Sequence, residues 1–139
     1  EMIKKLGKEK VYQFRRSWEI KPGPLDRQSP FHPFNIDAYR DVPAKAIPDT
    51  ESLKDTFTRV TNYYETEIKN NLNNENILIS AHGNSIRALC KYLFKLDNIE
   101  ISNLEIPTGN PLLINIDENQ EIKGCKYLDQ DRAKDLVIF

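Results

Sequence analysis

The sequence predicts an α/β fold, because one strongly periodic helix is followed by a short apolar strand, a glycine turn and a second periodic helix. Apolar residues recur at steps of three and four from Leu53 to Leu72, which is the period of an amphipathic helix. The run Ile77-Leu78-Ile79-Ser80-Ala81 is typical of a buried strand in a parallel sheet. Helical spacing returns from Ile86 to Leu96, and this order of elements is that of an α/β protein.

The N-terminal part of the chain predicts a helix followed by a long loop. The helix is interrupted or turned at Gly7, and apolar residues from Val11 to Trp18 share one of its faces. Six of the eight prolines lie in the stretch 21–48, where we expect one short helical turn near 37–40. Loops of this length are usually functional coverings or linkers, and the aromatic residues of this one favour a packed covering.

The remaining elements follow from capping and turn signals. Thr50-Glu51 provides a small polar residue and an acid at the start of the long helix, and polar residues at 70–76 end it. The C-terminal third predicts a short helix over 98–104, a turn at Pro107-Thr108-Gly109, a strand over 111–116, a hairpin-length connection at 117–120, a last strand near 122–128 and a weakly helical tail from Gln130.

Composition excludes several classes of function. The chain has 139 residues, 39% hydrophobic and 29% charged, with a net charge of -1, which fits one ordinary domain. Because no strong positive field exists, neither nucleic acid nor an anionic membrane is an expected partner, and no run reaches the length of a membrane span. The two cysteines lie far apart, so reduced thiols of the cytoplasm are the simpler interpretation. The first residue is not Met, and we expect a fragment.

The segment Ala81-His82-Gly83-Asn84-Ser85 carries the clearest chemical signal. It follows the predicted strand and opens a helix, the position where α/β proteins bind ligands. The free amides and dipole of a helix start attract anions, and Gly83 lets the backbone approach a phosphate closely. A histidine that merely caps the helix or bonds a carbonyl explains the spacing equally well. Neither histidine has metal-ligand spacing to a cysteine, so no metal site is predicted.

Three further patterns and the histidine segment occur in order along the chain. They are the double-arginine segment Gly7–Ser17, the helix start Thr50–Leu53, the histidine segment Asn76–Leu93 and the turn-and-strand segment Leu104–Leu112. In this order and spacing they resemble the cofactor-dependent phosphoglycerate mutases of the histidine phosphatase superfamily. The resemblance implies the C-terminal part of their three-layer fold, a mostly parallel sheet flanked by helices, with residues 1–139 forming one partial domain.

The resemblance also implies roles for individual residues. His82 would be the second catalytic histidine, which stabilises the transferring phosphoryl group. Gly83 and Asn84 would help to bind the phosphoglycerate. Arg15 and Arg16 would hold its carboxylate or phosphate, for which guanidinium groups are well shaped, although most Arg pairs are solvated helix faces. The implied substrate is a small phosphorylated acid, the implied primer is 2,3-bisphosphoglycerate, and no metal is required.

The chain departs from the family pattern at the phosphorylated histidine. The family's first strand ends in an Arg-His-Gly motif that has no counterpart here, and His32, flanked by Phe31 and Pro33, is interpreted as a loop residue. Covalent transfer needs its nucleophile, so the chain alone is not expected to turn over substrate. Without that first strand, segment 77–81 would be an unpaired apolar edge, and we expect a complementing N-terminal segment or a homo-oligomer to cover it.

Several functions stay open from the sequence. The leading one is interconversion of 3-phosphoglycerate and 2-phosphoglycerate, with this chain supplying the second-histidine half of the site. A phosphatase of the same superfamily is the nearest alternative, although the double-arginine and Pro-Thr-Gly segments favour a mutase. A truncated, non-catalytic remnant or a partial phosphate-binding module is the other. An α/β hydrolase is excluded, because no Gly-x-Ser-x-Gly motif is present.

Overall fold

The computed structural model describes residues 2–72 and 75–133. The chain forms two compact units, Glu1–Leu53 and Lys54–Phe139. The first unit begins with helices α1 (Met2–Leu6) and α2 (Lys8–Arg16). Gly7 between them has a φ of 81°, a left-handed conformation that glycine adopts without steric cost. The predicted interruption of the first helix is therefore confirmed.

The proline-rich stretch of the first unit is a loop closed by hydrogen bonds at its ends. The Thr50 hydroxyl donates to the Pro22 carbonyl at 2.7 Å, and the Leu25 amide donates to the Asp49 carbonyl at 3.0 Å. Between these ends lie three short 3₁₀ turns, at Pro33–Asn35, Asp37–Tyr39 and Ala44–Ala46. The second of them confirms the helical turn predicted near 37–40.

The long helix of the second unit changes its winding before it ends. Helix α3 spans Leu53–Tyr63, continues as a π-helical turn over Tyr64–Ile68 and closes with a 3₁₀ turn over Lys69–Asn71. The predicted helix over 53–72 is thus confirmed in position. The change to a π-helical turn does not follow from the apolar spacing; in this turn Tyr64 and Glu65 contact Tyr92.

Helices α4 (Gly83–Phe94) and α5 (Asn98–Asn103) follow, as the periodicity and the turn residues predict. Asp97 caps α5 through a reciprocal arrangement, in which its carboxylate accepts the Glu100 amide and the Glu100 carboxylate accepts the Asp97 amide; this is a capping box. Many of the buried apolar side chains of this unit come from these helices and the residues next to them, and others come from the C-terminal part of the chain. They include Ala88, Leu89, Cys90, Leu96, Ile101, Leu104 and Tyr127.

The C-terminal hairpin is the one sheet found in the described ranges. Strand β1 (Leu112–Ile116) pairs antiparallel with β2 (Ile122–Tyr127), with Leu112 opposite Tyr127. The two predicted strands and their short connection are confirmed. The turn before them is confirmed as well, since Gly109 has a φ of 68°. Of the predicted helical tail, Asp131–Ala133 is a 3₁₀ turn, and residues 134–139 lie outside the described residues.

Segment 77–81, predicted as a buried strand, is not a strand. It is not assigned to any sheet, and the side chains of Leu78 and Ile79 are 89% and 39% exposed. A strand persists through ladder hydrogen bonds to a neighbour, and apolar side chains alone do not supply them. No segment among residues 54–72 and 75–133 pairs with this one, and Leu78 and Ile79 face solvent. None of the helices in residues 2–72 and 75–133 is long and apolar enough to cross a bilayer.

Candidate functional site

His82 occupies the N-cap position of α4. Its backbone is extended, and its carbonyl accepts the amides of Ser85 at 2.9 Å and Ile86 at 3.1 Å. The imidazole itself makes no capping hydrogen bond and is exposed. The interpretation of His82 as a helix-capping side chain is therefore wrong. The ring stands at the start of the helix with its nitrogens available to a ligand.

The first turn of α4 has the properties of an anion site. The leading amides of a helix have no acceptor within it, and its dipole places partial positive charge there. No acidic residue lies in this first turn, so none of the side chains in the turn carries a negative charge that would repel an anionic ligand. A Cβ built at Gly83 would meet no atom within 4 Å. The backbone at this point is thus open to close approach by a phosphate or carboxylate oxygen.

Asn84 is held by a buried arginine that the sequence analysis did not single out. Arg87 is 4% exposed, and its Nη1 donates to Asn84 Oδ1 at 3.2 Å, while its Nη2 donates to the Ile101 carbonyl of α5. Because Asn84 Oδ1 accepts this hydrogen bond, the side-chain NH₂ group is the end of Asn84 that remains to donate a hydrogen bond to a ligand. The sequence contained a signal for this residue, namely an arginine on the apolar side of α4.

Arg15 and Arg16 form the last turn of α2 in the first unit. Basic side chains at a helix C-terminus complement the helix dipole. The chain turns sharply after them, since Ser17 Oγ bonds both the amide and the carbonyl of Ile20 at 3.2 Å. The assignment of Arg15, Arg16, His82, Gly83 and Asn84 to one ligand site stays a prediction.

His32 lies in the proline-rich loop, as predicted, but it is fully buried, at 0% exposure. Its Nδ1 accepts the Phe34 amide at 3.2 Å, and its Nε2 lies 3.3 Å from Asp49 Oδ1. Arg27 binds the same carboxylate through Nε at 2.9 Å and Nη2 at 2.8 Å. The hydrogen bonds from Arg27 hold the pKa of Asp49 below its ordinary value. A histidine enclosed in this way is not available as a phosphoryl acceptor.

The two thiols are structural. Burial raises the pKa of Cys90 to about 12, and burial also raises the pKa of Cys125. Both therefore stay protonated at neutral pH, whereas a nucleophilic cysteine needs its thiolate. Within residues 2–72 and 75–133, no three His, Cys, Asp or Glu side chains are grouped so that they could hold a metal ion.

A separate open pocket of about 690 Å³ lies at the other end of α4. The helix has 12 residues and is therefore about 18 Å long. The lining includes Phe57, Tyr64 and Tyr92, together with Glu65, whose carboxylate accepts the Tyr92 hydroxyl and the Lys69 ammonium. Because these groups satisfy one another, the pocket presents less unpaired charge than its residue types indicate.

Comparison with known proteins supports the motif-based interpretation. The family profile described as "Histidine phosphatase superfamily (branch 1)" matches residues 24–124. A 2,3-bisphosphoglycerate-dependent phosphoglycerate mutase of Pelagibacter ubique (strain HTCC1062) is 66% identical over 140 residues, covering 100% of this chain and 59% of the relative. Mutases of the same name from Maricaulis maris (strain MCS10) and Caulobacter sp. (strain K31) are 43% and 45% identical.

These relatives are longer than the chain. The matches to the Maricaulis and Caulobacter proteins cover 95% and 98% of this chain but only 55% and 56% of the relatives. The family profile matches residues 24–124, which is well over half of this chain, and the matched range includes helix α4 with His82. On this evidence the chain belongs to the histidine phosphatase superfamily.

Proposed function

We propose that the chain is the second-histidine part of a 2,3-bisphosphoglycerate-dependent phosphoglycerate mutase, an isomerase that interconverts 3-phosphoglycerate and 2-phosphoglycerate in glycolysis and gluconeogenesis. The observation that carries the proposal is the start of α4, where an exposed imidazole without a capping bond stands beside open backbone at Gly83. The names of the relatives from three organisms support the same activity.

The residues of the chain have separate tasks in this proposal. In its protonated form, the His82 imidazole donates to the phosphoryl oxygens, on which charge accumulates during transfer. The amides at Gly83 and the side chain of Asn84 bind oxygens of the same group. Arg15 and Arg16 hold the carboxylate or the second anionic group of the substrate, and so fix which hydroxyl faces the phosphoryl group.

The phosphoryl acceptor must come from elsewhere in the complete protein. This chain has two histidines, of which His82 has the stabilising task and His32 is enclosed by Asp49 and Phe34. We propose that a complementing N-terminal segment supplies the acceptor. We propose that the same N-terminal segment pairs with segment 77–81 in the mostly parallel, three-layer sheet, because Leu78 and Ile79 are exposed in a run of residues that is typical of a buried strand. A homo-oligomeric partner is the alternative source of such a strand.

We propose that the donor groups of this chain help to bind the molecule that primes the reaction. 2,3-Bisphosphoglycerate supplies the phosphoryl group with which the enzyme becomes active. Its two phosphates and one carboxylate call for several fixed N–H donors, which the guanidinium groups of Arg15 and Arg16, the His82 ring and the amides of α4 would provide. Charge stabilisation by these residues needs no metal ion. The substrates of such an enzyme are cytoplasmic metabolites, and we propose the cytoplasm as its location.

The proposal is tested with the complete natural protein. Turnover of 3-phosphoglycerate is measured with and without 2,3-bisphosphoglycerate, and we expect formation of 2-phosphoglycerate that depends on the primer. Release of inorganic phosphate at a comparable rate would instead assign a phosphatase. Absence of both reactions, together with no saturable binding of phosphoglycerate, would assign a non-catalytic remnant.

A further inference from the structure

At the beginning and the end of the proline-rich loop, several hydrogen bonds converge on one residue, Asp49. Asp49 accepts the Leu25 amide with its carbonyl and binds Arg27 and His32 with its carboxylate. Its sequence separation from these partners is 17 to 24 residues. One residue therefore connects several points of the loop, Leu25 through its backbone carbonyl and Arg27 and His32 through its carboxylate.

The partners of Asp49 are themselves fixed. Because the His32 Nδ1 accepts the Phe34 amide, the proton of the neutral ring is on Nε2, which faces the carboxylate. The Phe34 ring lies 4.6 Å from the His32 ring and 5.5 Å from the guanidinium carbon of Arg27. The Asn35 side chain donates to the carbonyls of Arg27 and Ser29, both at 2.8 Å. We call Arg27, His32 and Asp49 the clasp.

The clasp is connected to the arginine pair through a short stretch of chain. Ser17 and Ile20 form a hydrogen-bonded turn directly after Arg16. Two residues later the Pro22 carbonyl is anchored by the Thr50 hydroxyl, next to Asp49. The C-terminal end of α2 therefore has only five intervening residues before its first anchor on the 49–50 segment. The 49–50 segment is therefore one of the points to which the chain that follows α2 is attached.

We propose that Asp49 is a positioning residue, which closes the proline-rich loop through the clasp and thereby fixes the end of α2 that carries Arg15 and Arg16. This inference rests on the proposed function, because the two arginines are assigned to phosphoglycerate there. Asp49 touches no substrate in this arrangement. Asp49 acts by keeping the proline-rich loop ordered, and it thereby raises the affinity of the arginine pair for phosphoglycerate.

The test compares Asp49→Asn with Asp41→Asn in the complete protein. The first variant keeps the size of the side chain and the backbone carbonyl, but loses the charge that binds the Arg27 fork. The second makes the same change at an exposed position of the same loop, outside the clasp. Hydrogen exchange is followed at the amides of residues 17–20 and 25–35, with α4 as the internal reference, and KM and kcat are measured for 3-phosphoglycerate.

We expect Asp49→Asn to speed exchange in both stretches roughly tenfold, as local opening does when a charged hydrogen-bond pair is lost, and to leave α4 unchanged. KM should rise roughly three- to tenfold while kcat stays within about twofold, because ground-state and transition-state binding weaken alike. Asp41→Asn should match the wild-type protein in every measurement. Arg27→Gln repeats the test with a side chain that is 65% exposed, should Asp49→Asn not fold.

The outcomes distinguish a failure of the clasp proposal from a failure of the proposed function. Wild-type exchange rates at 25–35 in both clasp variants would overturn the clasp. Faster exchange at 25–35 without any change at 17–20 or in KM would overturn the positioning of the arginines. A wild-type protein that neither turns over nor binds phosphoglycerate refutes the proposed function, and then the exchange rates at 17–20 alone decide whether the clasp fixes the end of α2.

Discussion

Arg87 Nη1 donates a hydrogen bond of 3.2 Å to Asn84 Oδ1, so that a buried cation braces a side chain in the first turn of its own helix. A cation near a helix N-terminus is disfavoured by the helix dipole. The same charge increases the positive potential at the end of α4 where His82 stands. This pair therefore connects the core of the second unit with the candidate anion site.

Replacing Arg87 by Met should cost both stability and anion binding. The Ile101 carbonyl and the Asn84 oxygen would lose their donor, and leaving a buried acceptor unsatisfied costs about 1–3 kcal/mol. Denaturant unfolding of the complete protein measures the first effect, and titration with 3-phosphoglycerate the second. Arg87→Lys keeps the charge but not the fork, and should recover part of the binding.

Lys126→Met serves as the control for loss of a cation, since Lys126 is exposed on β2. We expect it to alter neither quantity by more than about 0.5 kcal/mol, as is usual for exposed positions. If Arg87→Met binds phosphoglycerate as tightly as the wild-type protein, Arg87 has only a structural task.

Gly83→Ala should weaken anion binding without weakening the fold. The added Cβ meets nothing within 4 Å in the free protein, and alanine in a helix is up to about 1 kcal/mol more favourable than glycine. The methyl group would, however, occupy the space that a bound phosphate needs. A Kd raised roughly tenfold, equivalent to about 1.4 kcal/mol, is the expected result, with an unchanged or higher melting temperature.

Gly23→Ala is a suitable control, because a Cβ added at Gly23 also meets no atom within 4 Å. Gly23 lies in the proline-rich loop and not at the start of α4. Unchanged affinity of the Gly83→Ala protein would mean that no ligand approaches the backbone at the start of α4.

The two histidines should respond in opposite ways to replacement by asparagine. His82 is exposed and makes no capping bond, so His82→Asn should leave the unfolding free energy unchanged and lower kcat by about 10²- to 10⁴-fold. His32 is buried with both ring nitrogens engaged, so His32→Asn should cost about 1–3 kcal/mol of stability. A stability loss in the first variant comparable to that in the second would contradict the site.

Stability should fall at low pH partly through Asp117 in the hairpin connection. Its carboxylate accepts the amides of Glu121 and Asn119, each at 2.9 Å, and pairs with Lys123 at 3.0 Å. These contacts, the Glu121 amide first, lower the pKa of Asp117 from its ordinary value of 3.8. The stabilisation is therefore complete above pH 3.8 and is lost as the pH falls through the lower, native pKa.

Asp117→Asn tests this assignment in unfolding curves recorded between pH 2 and pH 7, roughly the span over which carboxylates titrate. The variant should be less stable than the wild-type protein at neutral pH, and the difference should shrink as the pH falls. Glu118→Gln, an exposed neighbour in the same turn, should keep the wild-type profile. Parallel curves for wild type and Asp117→Asn would assign the acid sensitivity to other groups.

Features encoded by neighbouring residues were predicted well. The break at Gly7, helix α4, helix α5 and the hairpin of β1 and β2 all follow from periodicity and turn residues within a few positions of one another. The change to a π turn at Tyr64 was not predicted. It coincides with contacts to Tyr92, which lies 28 residues further along the chain. Apolar spacing cannot report a partner at that separation.

The same distinction between local patterns and long-range contacts applies to the candidate site. The order of His82, Gly83 and Asn84 before an apolar helix was readable in the sequence, and so was the arginine pair at the end of α2. The brace from Arg87 and the enclosure of His32 were not, because each depends on which groups meet when the chain is folded. Segment 77–81 shows the reverse case: its local pattern is typical of a strand, but in the structure it is not one, and no partner strand for it occurs among the described residues of its unit.

Membership in the histidine phosphatase superfamily, the sequence of helices and the position of the helix-start histidine were determined by the amino-acid order alone, since motifs and periods are local properties of the chain. Only the tertiary structure decided that His32 is a buried partner of Asp49 and that Arg87 supports Asn84. Burial, and hydrogen bonds between residues far apart in sequence, exist only when the chain is folded. The free energy of a polar group depends on whether it is buried and hydrogen-bonded, far more than on the residues next to it in sequence.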